Sequence, residues 1–142
     1  MNQGVDVNFK GGKKCTALIA ASRKGHLVLV KELIDRNANV NLGDKSGLTA
    51  LMIAASRGND GIVNTLLHSN AEVDKLHYYS GMTALMFAVR NNKVKCAKLL
   101  LENGANATIE NKEGKTSIDF AQDKEHFKAM FEEVRLIFLV IP

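Results

Sequence analysis

One pattern constrains this chain more than any other: it repeats itself about every 33 residues. Thr16-Ala17-Leu18-Ile19-Ala20-Ala21 recurs as Thr49-Ala50-Leu51-Met52-Ile53-Ala54 and as Thr83-Ala84-Leu85-Met86-Phe87-Ala88. A weaker copy is Thr116-Ser117-Ile118-Asp119-Phe120-Ala121. The threonines stand 33, 34 and 33 residues apart. A second signature keeps step with the first. Gly4-Val5-Asp6-Val7-Asn8 is followed by Asn37-Ala38-Asn39-Val40-Asn41, Asn70-Ala71-Glu72-Val73-Asp74 and Gly104-Ala105-Asn106-Ala107-Thr108. Two motifs holding one period over 142 residues describe an array of small units that bury a core only by stacking. The length is too short for two ordinary domains.

Residue types give each unit its shape. The threonine suits a helix N-cap, where its hydroxyl accepts from a free backbone N–H two or three residues on. Leu and Ala then predict a short helix whose small side, at Ala21, Ala54, Ala88 and Ala121, lets a second helix approach closely. Gly25, Gly58 and Asn92 tolerate the left-handed conformation that ends a helix. The spacing predicts a second helix in each unit. Its apolar members are Leu29, Val30, Leu33 and Ile34, then Ile62, Val63, Leu66 and Leu67, then Cys96, Ala97, Leu100 and Leu101. Asn37, Asn70 and Gly104 stop it, and polar turns follow from Asn41 to Gly47, Asp74 to Gly81 and Thr108 to Gly114.

These residues resemble the ankyrin repeat family, whose units carry a Thr-Pro-Leu-His-x-Ala box and a Gly-Ala-Asp-Val-Asn ending. The resemblance implies an all-α solenoid of stacked helix-turn-helix units joined by β-turn or hairpin loops, used to bind other proteins. On that pattern residues 2–9 are a partial repeat end, and 10–42, 43–76 and 77–109 are repeats one to three of a single domain. Residues 110–135 form a degenerate capping repeat and 136–142 an apolar tail. Ala17, Ala50, Ala84 and Ser117 replace the family's proline, and Ile19, Met52, Met86 and Asp119 its histidine. The turn before Thr83 carries one extra residue within His77-Tyr78-Tyr79-Ser80. In the fourth unit Glu125 replaces the helix breaker, and Glu132 and Glu133 fall where the second helix should bury apolar side chains. Packing under the last repeat is the simplest expectation for Leu136 to Pro142, with a strand-like extension or the remnant of a following segment as alternatives. The first full repeat has no helical cap before it, as in a fragment of a longer array or a natural short form.

The composition excludes other classes. At 46% hydrophobic and 24% charged residues the chain is globular rather than disordered. No run approaches the ~18 apolar residues that cross a bilayer, so membrane insertion is not expected. The two cysteines, Cys15 and Cys96, form no disulfide framework or metal motif, and an intracellular, cytoplasmic and/or nuclear location is expected. Cys15 is expected to be exposed and Cys96 to be a small core residue. His26 and His126 lie about three repeats apart, too far to share a metal, so no metal or cofactor is expected. Gly11-Gly12-Lys13-Lys14 lacks the spacing of a phosphate loop. No nucleophile stands beside a base, and an enzyme reading has nothing to rest on.

In the family the turns and first helices line the concave face. The candidate partner contacts there are Lys13, Lys14, Arg23 and Lys24 in repeat one, and Lys45, Leu48 and Arg57 in repeat two. Repeat three adds Tyr78, Tyr79, Met82 and Arg90. Arg23, Arg57 and Arg90 are spaced by 34 and 33 residues and are expected to form a ladder. Through Ala71 there are 9 basic and 5 acidic residues, and after it 10 of each, so the net charge of +4 belongs to the N-terminal half. The expected partner is a protein or peptide of acidic character, bound by a monomer. The modest charge, 6% aromatics and acidic fourth repeat argue against nucleic acid. A regulatory segment of a larger enzyme, channel or transcription regulator is the competing reading. Asn41 closes a pattern that asparaginyl hydroxylases modify in this family, with Asn39 in its acidic slot. The simpler role for it is a hydrogen bond across the turn.

Overall fold

Threonine decides where the units begin. Thr16, Thr49 and Thr83 are extended and nearly buried, and their hydroxyls accept from the N–H of Ile19, Met52 and Met86 at 3.2, 3.3 and 3.2 Å. Such a cap is worth about 1 kcal/mol. Each starts a first helix: α1 (Ala17–Lys24), α3 (Ala50–Arg57) and α5 (Ala84–Arg90). Gly25 and Gly58 end α1 and α3 at φ 74° and 77°, and Asn92 follows α5 at φ 57°. The second helices are α2 (Leu27–Asp35), α4 (Asp60–His68) and α6 (Val94–Glu102). Asn37, Asn70 and Gly104 stop them, also at positive φ. The computed structural model describes residues 6–140. Among these, seven α-helices, two short 3-10 turns and one isolated bridge between Gly43 and Thr49 are present, with no strand.

First helices stack on first helices and second on second, α1–α3–α5 and α2–α4–α6. Ala21, Ala54 and Ala88 are at most 2% exposed where α1, α3 and α5 pack. Ile19, Met52 and Met86, in the family's histidine slot, are each 1% exposed and fill the core instead of hydrogen-bonding to neighbours. Burial of side chains of this size stabilises by about 1.5–3 kcal/mol each.

Two hydrogen-bond ladders join successive units. The N–H groups of Lys45, Tyr78 and Lys112 donate to the carbonyls of Lys13, Ser46 and Ser80 at 3.0–3.1 Å, turn to turn. On the ending motif, Asn8, Asn41 and Asp74 accept through Oδ1 from the N–H of Asn39, Glu72 and Asn106 at 2.7–2.9 Å. The third turn is longer: its closing bond runs from the N–H of His77 to the carbonyl of Met82, whereas Asp44 donates to Leu48. Lys14 stands at φ 55° in the slot of Gly47, Gly81 and Gly114.

The ends of the stack depart from expectation. Leu29, expected in the core of α2, is 45% exposed, and Val28 is 83% exposed. Among the described residues nothing packs on the N-terminal side of α2, so only Val30 of that helix is buried. In the fourth unit the first helix shrinks to a 3-10 turn, Ser117–Phe120, held by Thr116, whose N–H and hydroxyl both donate to Asp119 Oδ2 at 2.9 and 3.2 Å. Then α7 (Lys124–Val140) runs unbroken across the 135/136 division between capping repeat and tail. Its apolar face is Phe127, Met130, Phe131 and Val134, at i, i+3, i+4 and i+7, which turns Glu132 and Glu133 outward. The described part of the tail, residues 136–139, does not pack under the last repeat. Leu136, Ile137, Phe138 and Leu139 are 42–69% exposed, because α7 has 17 residues and the helix it packs on has 9. The expectations for residues 2–5 and 141–142 lie outside the described residues.

Candidate partner-binding face

The turns and the C-terminal ends of the first helices share one face, as three cross-contacts show. From the end of α1, Arg23 NH2 lies 3.9 Å from the turn carboxylate of Asp44. Beyond the end of α5, the Asn91 amide donates to Ser56 Oγ on α3 at 3.0 Å. Arg90 reaches back to the turn residue Met82, its NH1 3.6 Å from Sδ.

Arg23 and Arg90 stand seven residues after Thr16 and Thr83, but Arg57 stands eight after Thr49, so the expected ladder is out of register at Arg57 and the three arginines occupy three different environments. Arg23 is half-buried, paired with Asp44, and its NH1 lies 3.7 Å from Cys15 Sγ. Cys15 is half-buried beneath it rather than exposed as expected, because the guanidinium covers the sulfur. Asp44 is held in place by three donors to Oδ1: the Ser46 N–H, the Ser46 hydroxyl and the Leu48 N–H, at 2.7–3.1 Å. Burial pushes its carboxyl up, but these bonds and Arg23 outweigh it and hold it below the usual carboxylate range. Arg90 lies with its guanidinium 5.2 Å over the Phe87 ring. Arg57 is exposed at the end of α3 with no carboxylate at ion-pair distance among the described residues.

The remaining candidates separate by exposure. Lys13, Lys14, Lys24 and Lys45 are exposed around the first two turns, and Leu48 is half-buried against the core. Tyr78 and Tyr79 are 58% and 67% exposed. Met82 is not a surface contact. It is 3% exposed, since Arg90 lies across its sulfur and its side chain joins the core.

Two residues that the sequence pattern did not single out complete the face. The His77 ring meets Tyr79 edge-on at 5.9 Å and Phe87 edge-on at 6.1 Å, so Tyr79, His77, Phe87 and Arg90 form one continuous group. Burial, with repulsion from Lys112, lowers the His77 pKa against the attraction of Asp44. Its Nδ1 lies 2.8 Å from Ser80 Oγ. The extra turn residue and the aromatic at Phe87, where earlier units have Ala20 and Ile53, were the available signals. Tyr78 covers Gly47 so closely that a Cβ there would lie 2.6 Å from the ring.

Asn41 lies away from this group. Its Oδ1 accepts from the Glu72 N–H at 2.7 Å and its Nδ2 donates to the Asn70 carbonyl at 3.4 Å, bridging two units. Cys96 is buried, its thiol pushed up to about 11 by burial and by Asp60 against the opposing charge of Lys93. Among the described residues no group of three or more His, Cys, Asp or Glu side chains is arranged to hold a metal. No described helix is long and apolar enough to cross a membrane.

A family model described as ankyrin repeats in three copies matches residues 1–77 and 73–132. The chain is 38% identical over 106 residues to a probable E3 ubiquitin-protein ligase, XBOS33, of Oryza sativa subsp. japonica, a match over 68% of this chain. It is 28% identical over 132 residues to a mitochondrial disaggregase of Bos taurus, over 92% of this chain. In both cases the chain spans 20% of the relative's own length.

Proposed function

Because the chain belongs to the ankyrin repeat family, a family of protein–protein interaction modules, we propose that it is a non-catalytic scaffold or adaptor holding a partner on its turn face. The observation that carries this reading is the exposed set Lys45, Tyr78 and Tyr79, on turns tied to one another by backbone hydrogen bonds, with Arg57 exposed beside them at the end of α3. A rigid backbone lowers the entropy lost on binding, and Tyr and Arg are the side chains that most often dominate interface energy. The excess positive charge of the N-terminal half supports an acidic protein or peptide as partner. The module is read as monomeric and intracellular, cytoplasmic or nuclear, with Cys15 and Cys96 as free thiols.

The test is affinity purification with mass spectrometry, comparing the natural chain with an Arg57→Glu/Tyr79→Ala double variant whose circular dichroism is unchanged. The expected result is loss of specific partners from the variant. An identical partner set from both proteins removes the turn face as the binding surface.

A second reading is favoured by the relatives, which are both much longer than this chain: a regulatory segment within a larger protein. The size of the endogenous product on an immunoblot separates the two. Hydroxylation of Asn41 is a further proposal about this chain, supported by the Leu33-to-Asn41 pattern. A native peptide one oxygen atom heavier is its expected signature, and the unmodified mass alone removes it.

A further inference from the structure

The turn face is not uniform along the stack. At its N-terminal end Lys13, Lys14, Lys24, Lys45 and Arg57 are exposed cations, and Arg23 alone among its neighbours is neutralised in place, by Asp44. At repeat three the guanidinium of Arg90, also exposed, lies 5.2 Å over the Phe87 ring, and two exposed aromatic side chains join the face: Tyr78 on Gly47, and Tyr79 against His77. The additional turn residue creates this change of character, since the longer turn carries two tyrosines outward where the second turn carries Lys45 and Ser46.

We propose that this face selects a two-part peptide segment, with acidic residues over repeats one and two and an aromatic or large aliphatic side chain over repeat three. The inference rests on the turn face being the binding surface. Its content is the order and spacing of the two halves. Stacked helices lie about 10 Å apart, and an extended peptide advances about 3.3 Å per residue. One repeat therefore corresponds to about three peptide residues, and the acidic residues fall about three to six positions from the aromatic one. Arg57, without a carboxylate of its own, takes the acidic residue nearest the aromatic group, and Tyr79 supplies an exposed ring for stacking beside it.

The experiment is selection of a random dodecapeptide phage library on the full chain, followed by fluorescence polarisation with the most enriched peptide, labelled with fluorescein. The expected motif carries Asp or Glu about three to six positions from Phe, Tyr, Trp or Leu. Affinity is expected to fall about tenfold on Arg57→Glu and on Tyr79→Ala, with Arg57→Lys retaining most of it. It is also expected to weaken with added salt through the acidic half. Peptides that lose binding in both variants but lack one of the two halves overturn this inference and leave the turn face standing. Peptides indifferent to both variants overturn the inference and the turn face together, and so does selection that enriches nothing.

Discussion

Ser22 is wholly buried at the end of α1, and its hydroxyl has no hydrogen-bond partner among the described residues. The same slot in the next unit holds Ala55. A buried hydroxyl that has given up water without a replacement costs about 1–3 kcal/mol. Ser22→Ala is therefore expected to raise stability by about 1 kcal/mol, read as a higher urea midpoint at unchanged slope. The titrating residues set the response to acid. His77 has its pKa lowered in the fold, so the unfolded chain binds its proton more tightly. The stability associated with neutral His77 is present above its ordinary value of 6.5 and is lost as the pH falls below it. Asp44 is also lowered, and its contribution is lost further down, below 3.8. Urea midpoints should thus decline in two stages toward acid, and His77→Asn should remove the first stage. A first stage that persists in that variant assigns it to another group.

At the scale of elements, the two halves of α7 carry different duties. Phe127 is 0% exposed and packs in the core, with its ring 6.3 Å from that of Phe131, while Phe138 on the same helix is 54% exposed. Phe127→Ala is expected to cost about 3–5 kcal/mol, as for other large core truncations. Phe138→Ala should stay within about 0.5 kcal/mol of the natural chain. Thermal or urea unfolding of the two variants checks the contrast, and a large cost at Phe138 means that those turns are covered in solution. The fourth unit also departs from the pattern of the other three. Its first helix is reduced to a capped turn, and the outer side of α7 presents Glu132, Glu133 and Arg135.

Across the whole molecule, stability follows the number of neighbours a unit has. In α4, Ile62, Val63 and Leu66 are buried between units on both sides, whereas α2 buries Val30 alone. In a stack whose units touch only their neighbours, the end unit opens at the lowest free energy. Hydrogen exchange is therefore expected to be slowest in α3 to α6 and faster in α1 and α2. Equal protection throughout would mean that the array opens only as one unit. The same dependence on neighbours bears on the turn face proposed to meet a partner. The second and third turns are each held by the turns before and after them, so their exposed side chains are presented without further ordering of the backbone.

What the sequence determined by itself was local: the period, the threonine caps, the glycine and asparagine stops and the extra residue before Thr83. These are legible because a cap acts three residues away and a left-handed stop acts on its own backbone. The tertiary structure decided what depends on distant neighbours. Arg23 and Arg90 share one repeat slot, seven residues after Thr16 and Thr83, but Arg23 meets the carboxylate of Asp44, from a turn in the following unit, whereas Arg90 lies over the Phe87 ring. Met82 looked like a surface residue until Arg90 covered it, and Leu29 looked like core, but among the described residues nothing covers it. The length of α7 belongs with these, since Glu132 and Glu133 seemed to interrupt an apolar face that in fact runs through Phe127, Met130, Phe131 and Val134. Burial and charge pairing are relations between units, and a periodic sequence writes the same letter wherever the units differ only in what stands beside them.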